Sequence, residues 1–541
     1  MKLNLESLNN KTEWENIEVQ IPTYSISTIR ENTLRNPKWI HFGGGNIFRV
    51  FLAGLADTLI EEGYYNQGVL CVETFDTEII HHIYESYDHL TLAITLKSDG
   101  SVDKKVIGSI VDAIDIQSEM KWQRLKGILT QPDLQMISLT ITEKGYSLYD
   151  VNGQYLPMIQ EDMNSHFDHP RSTMAILCRL LYERYQSNKL PLALVSMDNC
   201  SHNGDILKTS ILTIAKAWHA KGKVNDDFIQ YLTDPTKISF PWTMIDKITP
   251  RPADSICSLL ESLGLENMRP VLTQKQTYTA PYVNAEEPQY LVIEDCFPNG
   301  RPPLEKAGVY LTDRKTVDQV ERMKVTTCLN PLHTALAVYG CLLDYHLIAD
   351  EMNNEYLYEL VQQIGPVEGM EVVTDPEIIS PTDFVNEVIH QRISNPFMPD
   401  TPQRIATDTS LKVGIRFGET IKAYVQKYGS AMRLTAIPLA IAGWCRYLLG
   451  VNDQGQSFEL SPDPMQEELT ELLKDIHWGD ITSYQGQLKP ILSNERIFGI
   501  NLYEAGIGSK IEEMFLEEIS GPNAIVNTLK KYLKKEDENH V

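Results

Sequence analysis

The stretch that most constrains the fold runs from Pro37 to Ile60. Pro37-Lys-Trp-Ile-His-Phe42 reads as a short strand and Gly43-Gly44-Gly45-Asn46-Ile-Phe48-Arg49 as a tight turn. Val50-Phe-Leu-Ala-Gly-Leu-Ala-Asp-Thr-Leu-Ile60 follows with apolar residues at helical spacing. Strand, glycine turn and helix in that order form the context of a dinucleotide-binding turn. Glycines let the backbone approach a pyrophosphate, and the helix start offers unpaired N–H groups and the positive end of its dipole. The usual G-x-G-x-x-G spacing lacks its third glycine, because position 48 is Phe, and glycine triplets also occur in ordinary loops. A second segment adds weight. Gly68-Val-Leu-Cys-Val-Glu73 reads as the next strand and ends in an acid, the place from which a carboxylate holds a ribose hydroxyl. Glu73, Asp76 and Glu78 are acidic and no Lys or Arg lies between Val72 and Glu78, so a 2′-phosphate is repelled and NAD is favoured over NADP. The candidate cofactor-binding residues are Gly43, Gly45, Asn46, Phe48, Arg49 and Glu73.

More strand-like runs follow at 90–96, 136–142, 192–197 and 289–294, with helical runs such as 173–183 between them. The alternation predicts an α/β fold, a Rossmann-type doubly wound, largely parallel sheet covered on both faces. Residues 1–36 are polar and read as an arm leading into the first strand. After Pro302-Pro303 helical periodicity dominates, over 331–349, 355–364, 383–394, 416–428, 432–449, 464–475 and 509–535. The expected division is a nucleotide-binding domain over 1–305 and an all-helical domain over 306–541. The tail from Lys530 to His540 reads as a solvated helix end.

In such sheets ligands bind beyond the carboxyl ends of the strands. Two strands end there in polar clusters, Glu143-Lys144-Gly145-Tyr146 and Asp198-Asn199-Cys200-Ser201-His202-Asn203-Gly204, and a further polar turn carries Asp246. Turn chemistry alone explains each, and their shared placement makes them candidates. In the helical half, Lys324-Val-Thr-Thr-Cys-Leu-Asn330-Pro-Leu-His333 sets a base, an amide and an imidazole close together. Asn330 before Pro331 reads as a helix N-cap with Pro in the first turn.

The formal net charge of −25 argues against nucleic acid and against an anionic membrane surface. An anionic substrate then needs a local cluster of Lys and Arg. The eight cysteines are scattered without a C-x-x-C pair, as in reduced cytosolic proteins, and neither a signal-peptide pattern nor a membrane-spanning run is present, so the expected location is cytoplasmic. There is no G-x-S-x-G, H-E-x-x-H or P-loop signature, and His81-His82 reads as helix surface rather than a metal pair.

Taken together, Ile40-His-Phe-Gly43-x-Gly45-Asn-x-Phe-Arg49, Thr142-Glu143-Lys-Gly-Tyr146, Ser196-x-Asp198-Asn199-x-x-x-Asn203-Gly204, Phe240-Pro241-x-x-Met244-x-Asp246, Lys324…Asn330-x-x-His333 and Arg404-Ile-Ala-x-Asp408-x-Ser410-x-Lys412 resemble the mannitol dehydrogenase family. The resemblance spans about 37–450. It implies a Rossmann-type domain, a helical domain, an active site between them, NAD as cofactor and no catalytic metal. It also implies Lys324 as general acid/base, Asn199 and Asn330 as amides on the substrate oxygen, and His333 as a positioning residue. Arg404, Lys412 and Asp246 are implied substrate contacts, and Glu143 a carboxylate near the proton path. The family pattern usually sets four residues between the lysine and the asparagine, and here there are five, 325–329. On an unbroken helix Lys324 and His333 would sit about half a turn apart.

The implied reaction is hydride transfer between nicotinamide and a secondary alcohol or ketone of a small sugar acid or polyol. Within the family the chain is most similar to the hexuronate reductases, with fructuronate and mannonate as the expected pair. Tagaturonate reductases and mannitol 2-dehydrogenases are the rivals. A 6-phosphogluconate-type dehydrogenase and a catalytically silent NAD-binding sensor are further alternatives. Arg404, Lys412 and Arg416 are available to a carboxylate, although Arg416 also reads as helix surface. Oligomeric state is not encoded in any of these features.

Overall fold

The computed structural model describes residues 1–533, so the tail expected as a helix end lies, from 534 onward, outside the described residues. The chain divides into two compact units, one of Met1–Leu96 with Ser101–Asp318, the other of Lys97–Gly100 with the residues from Gln319 onward.

The first unit is built on six parallel strands: β1 (Trp39–Phe42), β2 (Val69–Glu73), β3 (Ile110–Asp115), β4 (Met136–Leu139), β5 (Leu192–Ser196) and β6 (Ile238–Ser239). Their order is β3-β2-β1-β4-β5-β6, the doubly wound Rossmann arrangement with its reversal at β1 and β4. Ile40 pairs with Leu70 on one side and Ile137 on the other, which sets the register. Every residue of β1, β2, β4 and β5 is buried, which explains why these strands read as continuous apolar runs rather than alternating ones. Alternate residues feed two cores. Ile40, Phe42, Leu70 and Val72 pack under α2 (Glu119–Leu129), α3 (Thr173–Ser187) and α4 (Asn203–Ala220). Trp39, Cys71 and Met136 pack with Phe51, Leu55 and Leu59, of which the last two belong to α1 (Ala53–Glu61).

Three expectations change here. The run at 90–96 is a strand, Thr91–Leu96, but it does not join the parallel sheet. It pairs antiparallel with Val102–Ile107 and parallel with Tyr282–Glu286 in a separate four-stranded sheet, because a short hairpin satisfies its backbone groups locally. Residues 1–36 are no arm. They form the helices Lys11–Asn16 and Ile26–Arg35 and the strand Val19–Gln20, with Trp14, Ile26 and Ile29 buried, so a few well-placed apolar residues outweigh the polar average. The run at 289–294 is a strand, Tyr290–Glu294, but it too lies outside the six-stranded sheet, in a three-stranded sheet antiparallel to Thr243–Asp246 and parallel to Tyr310–Thr312.

The second unit is helical. Its centre is α6 (Asn330–Leu342), which packs against α7 (Ala436–Tyr447) and is apolar almost all round, as a fully buried helix must be. Only Asn330 and His333 of α6 are half-buried rather than buried. The described part of the periodic run at 509–535 is two helices, Gly508–Glu518 and Ala524–Leu533, broken at Gly521-Pro522, where Gly521 takes φ +134°. No described helix is long and apolar enough to cross a membrane.

Candidate active site

At the carboxyl end of β1, Gly43 takes φ +105°, and a Cβ there would lie 2.1 Å from the carbonyl oxygen of Thr140, so only glycine fits against β4's extension. Gly45 has open space around it. The Gly44 N–H donates to Glu73 Oε2 at 2.8 Å, and Glu73 Oε1 accepts from the Phe75 and Asp76 N–H groups at 2.7 and 3.1 Å. Glu73 therefore ties the glycine turn to the segment after β2. Phe48, standing where the third glycine was expected, is fully buried and stacks on His41 with ring centroids 4.1 Å apart. Arg49 is 1% exposed; it reaches the Thr91 and Thr279 hydroxyls and lies over the Tyr84 ring, and burial pushes its guanidinium down to about 10. Phe48 and Arg49 thus lie beneath the turn, while Asn46 is partly exposed on it.

The ends of β4 and β5 are joined by one carboxylate. Asp198 accepts from the Ile141 and Thr142 N–H groups at 2.8 and 3.0 Å and from the Tyr146 hydroxyl at 2.6 Å. Burial raises the Asp198 carboxyl while these donors lower it. The short helix Thr142–Tyr146, which carries exposed Glu143, is thereby fixed beside exposed Asn199. Asn203 knits the next layer. Its amide donates to the Asp198 and Thr243 carbonyls and the Thr243 hydroxyl, and its oxygen accepts the Thr243 N–H at 3.0 Å. Gly204 packs so closely on the Phe240 carbonyl that a Cβ would lie 2.5 Å away. Buried Asp246 closes the strand that Thr243 begins. Asp198, Asn203 and Tyr146 belong to the quoted motifs, yet their supporting role emerges only from these bonds.

In the second unit Lys324 is 2% exposed and opens a π-helical turn, Lys324–Cys328, between α5 (Arg314–Met323) and α6. The Leu329 N–H donates to the Lys324 carbonyl at 3.1 Å, a bond spanning five residues instead of four. One residue is absorbed in that wider loop. Discounting it brings Lys324 and His333 from about 180° to about 80° apart around the helix axis. The N-cap expectation for Asn330 is corrected. Asn330 already belongs to the helix, Leu329 occupies the cap position, and no side-chain cap bond forms, because the π turn feeds directly into α6.

Burial pushes the His333 imidazole down to about 4, opposed by Asp400 and helped by the cations Arg392, Arg416 and Arg404. Arg416 Nη1 donates to the Thr334 hydroxyl at 2.6 Å, so it is not a mere surface charge. Burial lowers its guanidinium to about 10, and among the described residues it has no carboxylate partner. Lys412 donates to the Thr407 carbonyl at 2.5 Å and is lowered by burial and by Arg416. Exposed Arg404 pairs with Asp400. Arg392, 3% exposed on the π turn Val388–Ile393, is a member of the cluster that no motif singled out.

These pieces match known proteins in two parts. Residues 37–306 match the model of the mannitol dehydrogenase Rossmann domain, and residues 316–517 that of the mannitol dehydrogenase C-terminal domain. The chain belongs to the mannitol dehydrogenase family. Like its family, it is an oxidoreductase with a Rossmann-type domain and a helical domain. It is 50% identical to the D-mannonate oxidoreductase of Thermotoga maritima, covering 99% of this chain and 100% of that one. It is 30% identical to a mannitol 2-dehydrogenase of Phaeosphaeria nodorum over 85% of this chain and 76% of the relative. Among solved structures, the Pseudomonas fluorescens mannitol 2-dehydrogenase ternary complex with NAD and D-mannitol aligns at TM-score 0.70 and 26% identity, over 99% of this chain and 100% of that one.

Proposed function

We propose that this protein interconverts D-fructuronate and D-mannonate with NAD as cofactor. The observation that carries the sugar-acid reading is Arg416. It is a cation beside His333, bonded to a neutral hydroxyl and without a carboxylate partner among the described residues. A half-buried guanidinium left in that state is costly, and a substrate carboxylate relieves the cost. A polyol has no charge to offer. The full-length identity to the Thermotoga D-mannonate oxidoreductase supports mannonate as one member of the pair, and the glycine turn with Glu73, Asp76 and Glu78 supports NAD.

NADH, when bound, supplies the hydride. As the substrate carbonyl is reduced, negative charge grows on its oxygen. The amides of Asn199 and Asn330 are assigned to donate to it. Lys324 delivers the proton that completes the alcohol, and takes it back in oxidation. His333 orients the substrate, Arg404, Lys412 and Asp246 bind it, and Glu143 serves the proton path. All eight cysteines are unpaired, in keeping with a reducing cytoplasm.

The test is NADH oxidation with fructuronate, tagaturonate and fructose measured side by side. Fructuronate is expected to give the highest kcat/KM, and fructose as the best substrate would remove the sugar-acid reading.

A further inference from the structure

We infer that Phe75 is the stacking platform for the adenine of the cofactor, backed by the Lys275 ammonium, an inference that rests on the NAD reading above. Phe75 is 65% exposed and stands two residues beyond Glu73, at the carboxyl end of β2. An exposed aromatic is ordinary in itself. This one is set apart by its place and by how firmly it is held. Its N–H donates to Glu73 Oε1 at 2.7 Å, while Glu73 Oε2 accepts from Gly44 at 2.8 Å. One carboxylate thus fixes the backbone that carries the ring relative to the glycine turn. In a Rossmann sheet the acid at this strand end marks the adenosine ribose, so a ring anchored to that acid lies where the base belongs.

A distant segment completes the arrangement. The hairpin of Val271–Leu272 and Tyr278–Thr279 lays its turn against the same loop. The Thr273 hydroxyl donates to Asp76 Oδ2 at 2.6 Å, and the Gln274 N–H donates to Glu78 Oε2 at 3.2 Å. Lys275 Nζ donates to the Phe75 carbonyl at 2.5 Å and lies 4.3 Å from the centre of the Phe75 ring. A cation therefore covers one face of the ring, and its exposure leaves the opposite face to solvent. A cation on one face draws electron density from the ring, and an electron-poor ring stacks well on an electron-rich purine.

The experiment compares full-length wild type with Phe75→Ala, Phe75→Trp and Lys275→Met. It uses NADH titration, inhibition by AMP as an adenosine-end probe, and turnover with reduced nicotinamide mononucleotide, which lacks that end. Phe75→Ala is expected to raise Kd for NADH and Ki for AMP about tenfold, the scale of losing a base-stacking aromatic. It should keep kcat at saturating NADH and leave mononucleotide turnover as in wild type. Phe75→Trp should restore both constants, and Lys275→Met should shift them the same way by less. Wild-type constants in Phe75→Ala, or an equal loss with the mononucleotide, overturn the inference alone. A wild-type protein that does not bind NADH removes both the cofactor reading and this inference.

Discussion

In the proposed reaction, Lys324 is the residue on which the chemistry depends most. A lysine buried to 2% exposure on a π turn has given up its hydration, which a surface charge has no reason to do. Lys324→Ala is expected to bind NADH as wild type does and to lose about 10²- to 10⁴-fold in kcat, the usual weight of a general acid or base. Unchanged turnover in the folded variant would remove Lys324 from the mechanism. His41 offers a pH test. It is fully buried between the hydroxyls of Ser138 and Thr140, at 2.7 and 2.8 Å, and burial pushes its imidazole from 6.5 down to about 3. The unfolded chain then binds the proton that the folded one refuses. Stability from this site is complete above pH 6.5 and is lost as pH falls from there towards 3. Urea unfolding of wild type and His41→Asn at pH 5 and pH 7.5 should show a smaller pH dependence in the variant. Neither Phe48 nor Arg392 was legible in these terms. A phenylalanine replacing a fingerprint glycine makes sense only once its stack on His41 is seen, and Arg392 lies in no motif at all.

At the scale of elements, the π turn explains how five residues fit between Lys324 and Asn330. The wide turn takes up one residue in the bond from the Leu329 N–H to the Lys324 carbonyl. Deleting Thr326 should therefore turn it into an ordinary α turn, with circular dichroism unchanged and turnover within about tenfold of wild type. An alanine inserted after Thr326 cannot be absorbed a second time and should cost more than about 100-fold, since it rotates Lys324 by about 100°. A drastic loss on deletion would show that the turn itself, and not its neutral bookkeeping of length, positions the lysine. The helix α7 has its own device. Buried Glu368 accepts from the N–H groups of Thr435, Ala436 and Ile437 at 2.5, 2.7 and 2.9 Å, which satisfies the helix start and stabilises its positive end. Glu368→Ala leaves these donors buried and unpaired, and should lower unfolding free energy by about 3 kcal/mol in denaturant titration, with Glu368→Gln losing less. The helix α6 shows where reading by element fails. Its Asn-Pro start looked like a cap from sequence, yet a preceding helical turn supplied the continuity and the amide was not used.

Across the whole molecule, a net charge of −25 surrounds a small positive island about His333. A global field of that sign repels a sugar acid, so local cations must decide selectivity. Arg416→Met should lower kcat/KM for fructuronate relative to fructose by about 10- to 100-fold while leaving Kd for NADH unchanged, and a uniform loss on both sugars would argue that Arg416 only supports packing. The sequence by itself determined the strand, glycine turn and helix at 39–61, the polar clusters ending β4 and β5, and the helices that make up the second unit. These depend on neighbours in the chain: glycine at a positive φ, turn formers after a strand, apolar residues at helical spacing. Only the tertiary structure decided that Thr91–Leu96 leaves the parallel sheet, that Asp198 locks two strand ends together, that Arg392 and Arg416 gather at His333, and that Lys275 covers Phe75. Those outcomes join segments far apart in the chain. Which of them meet is set by burial and hydrogen-bond closure over the whole core, and no local pattern carries that information.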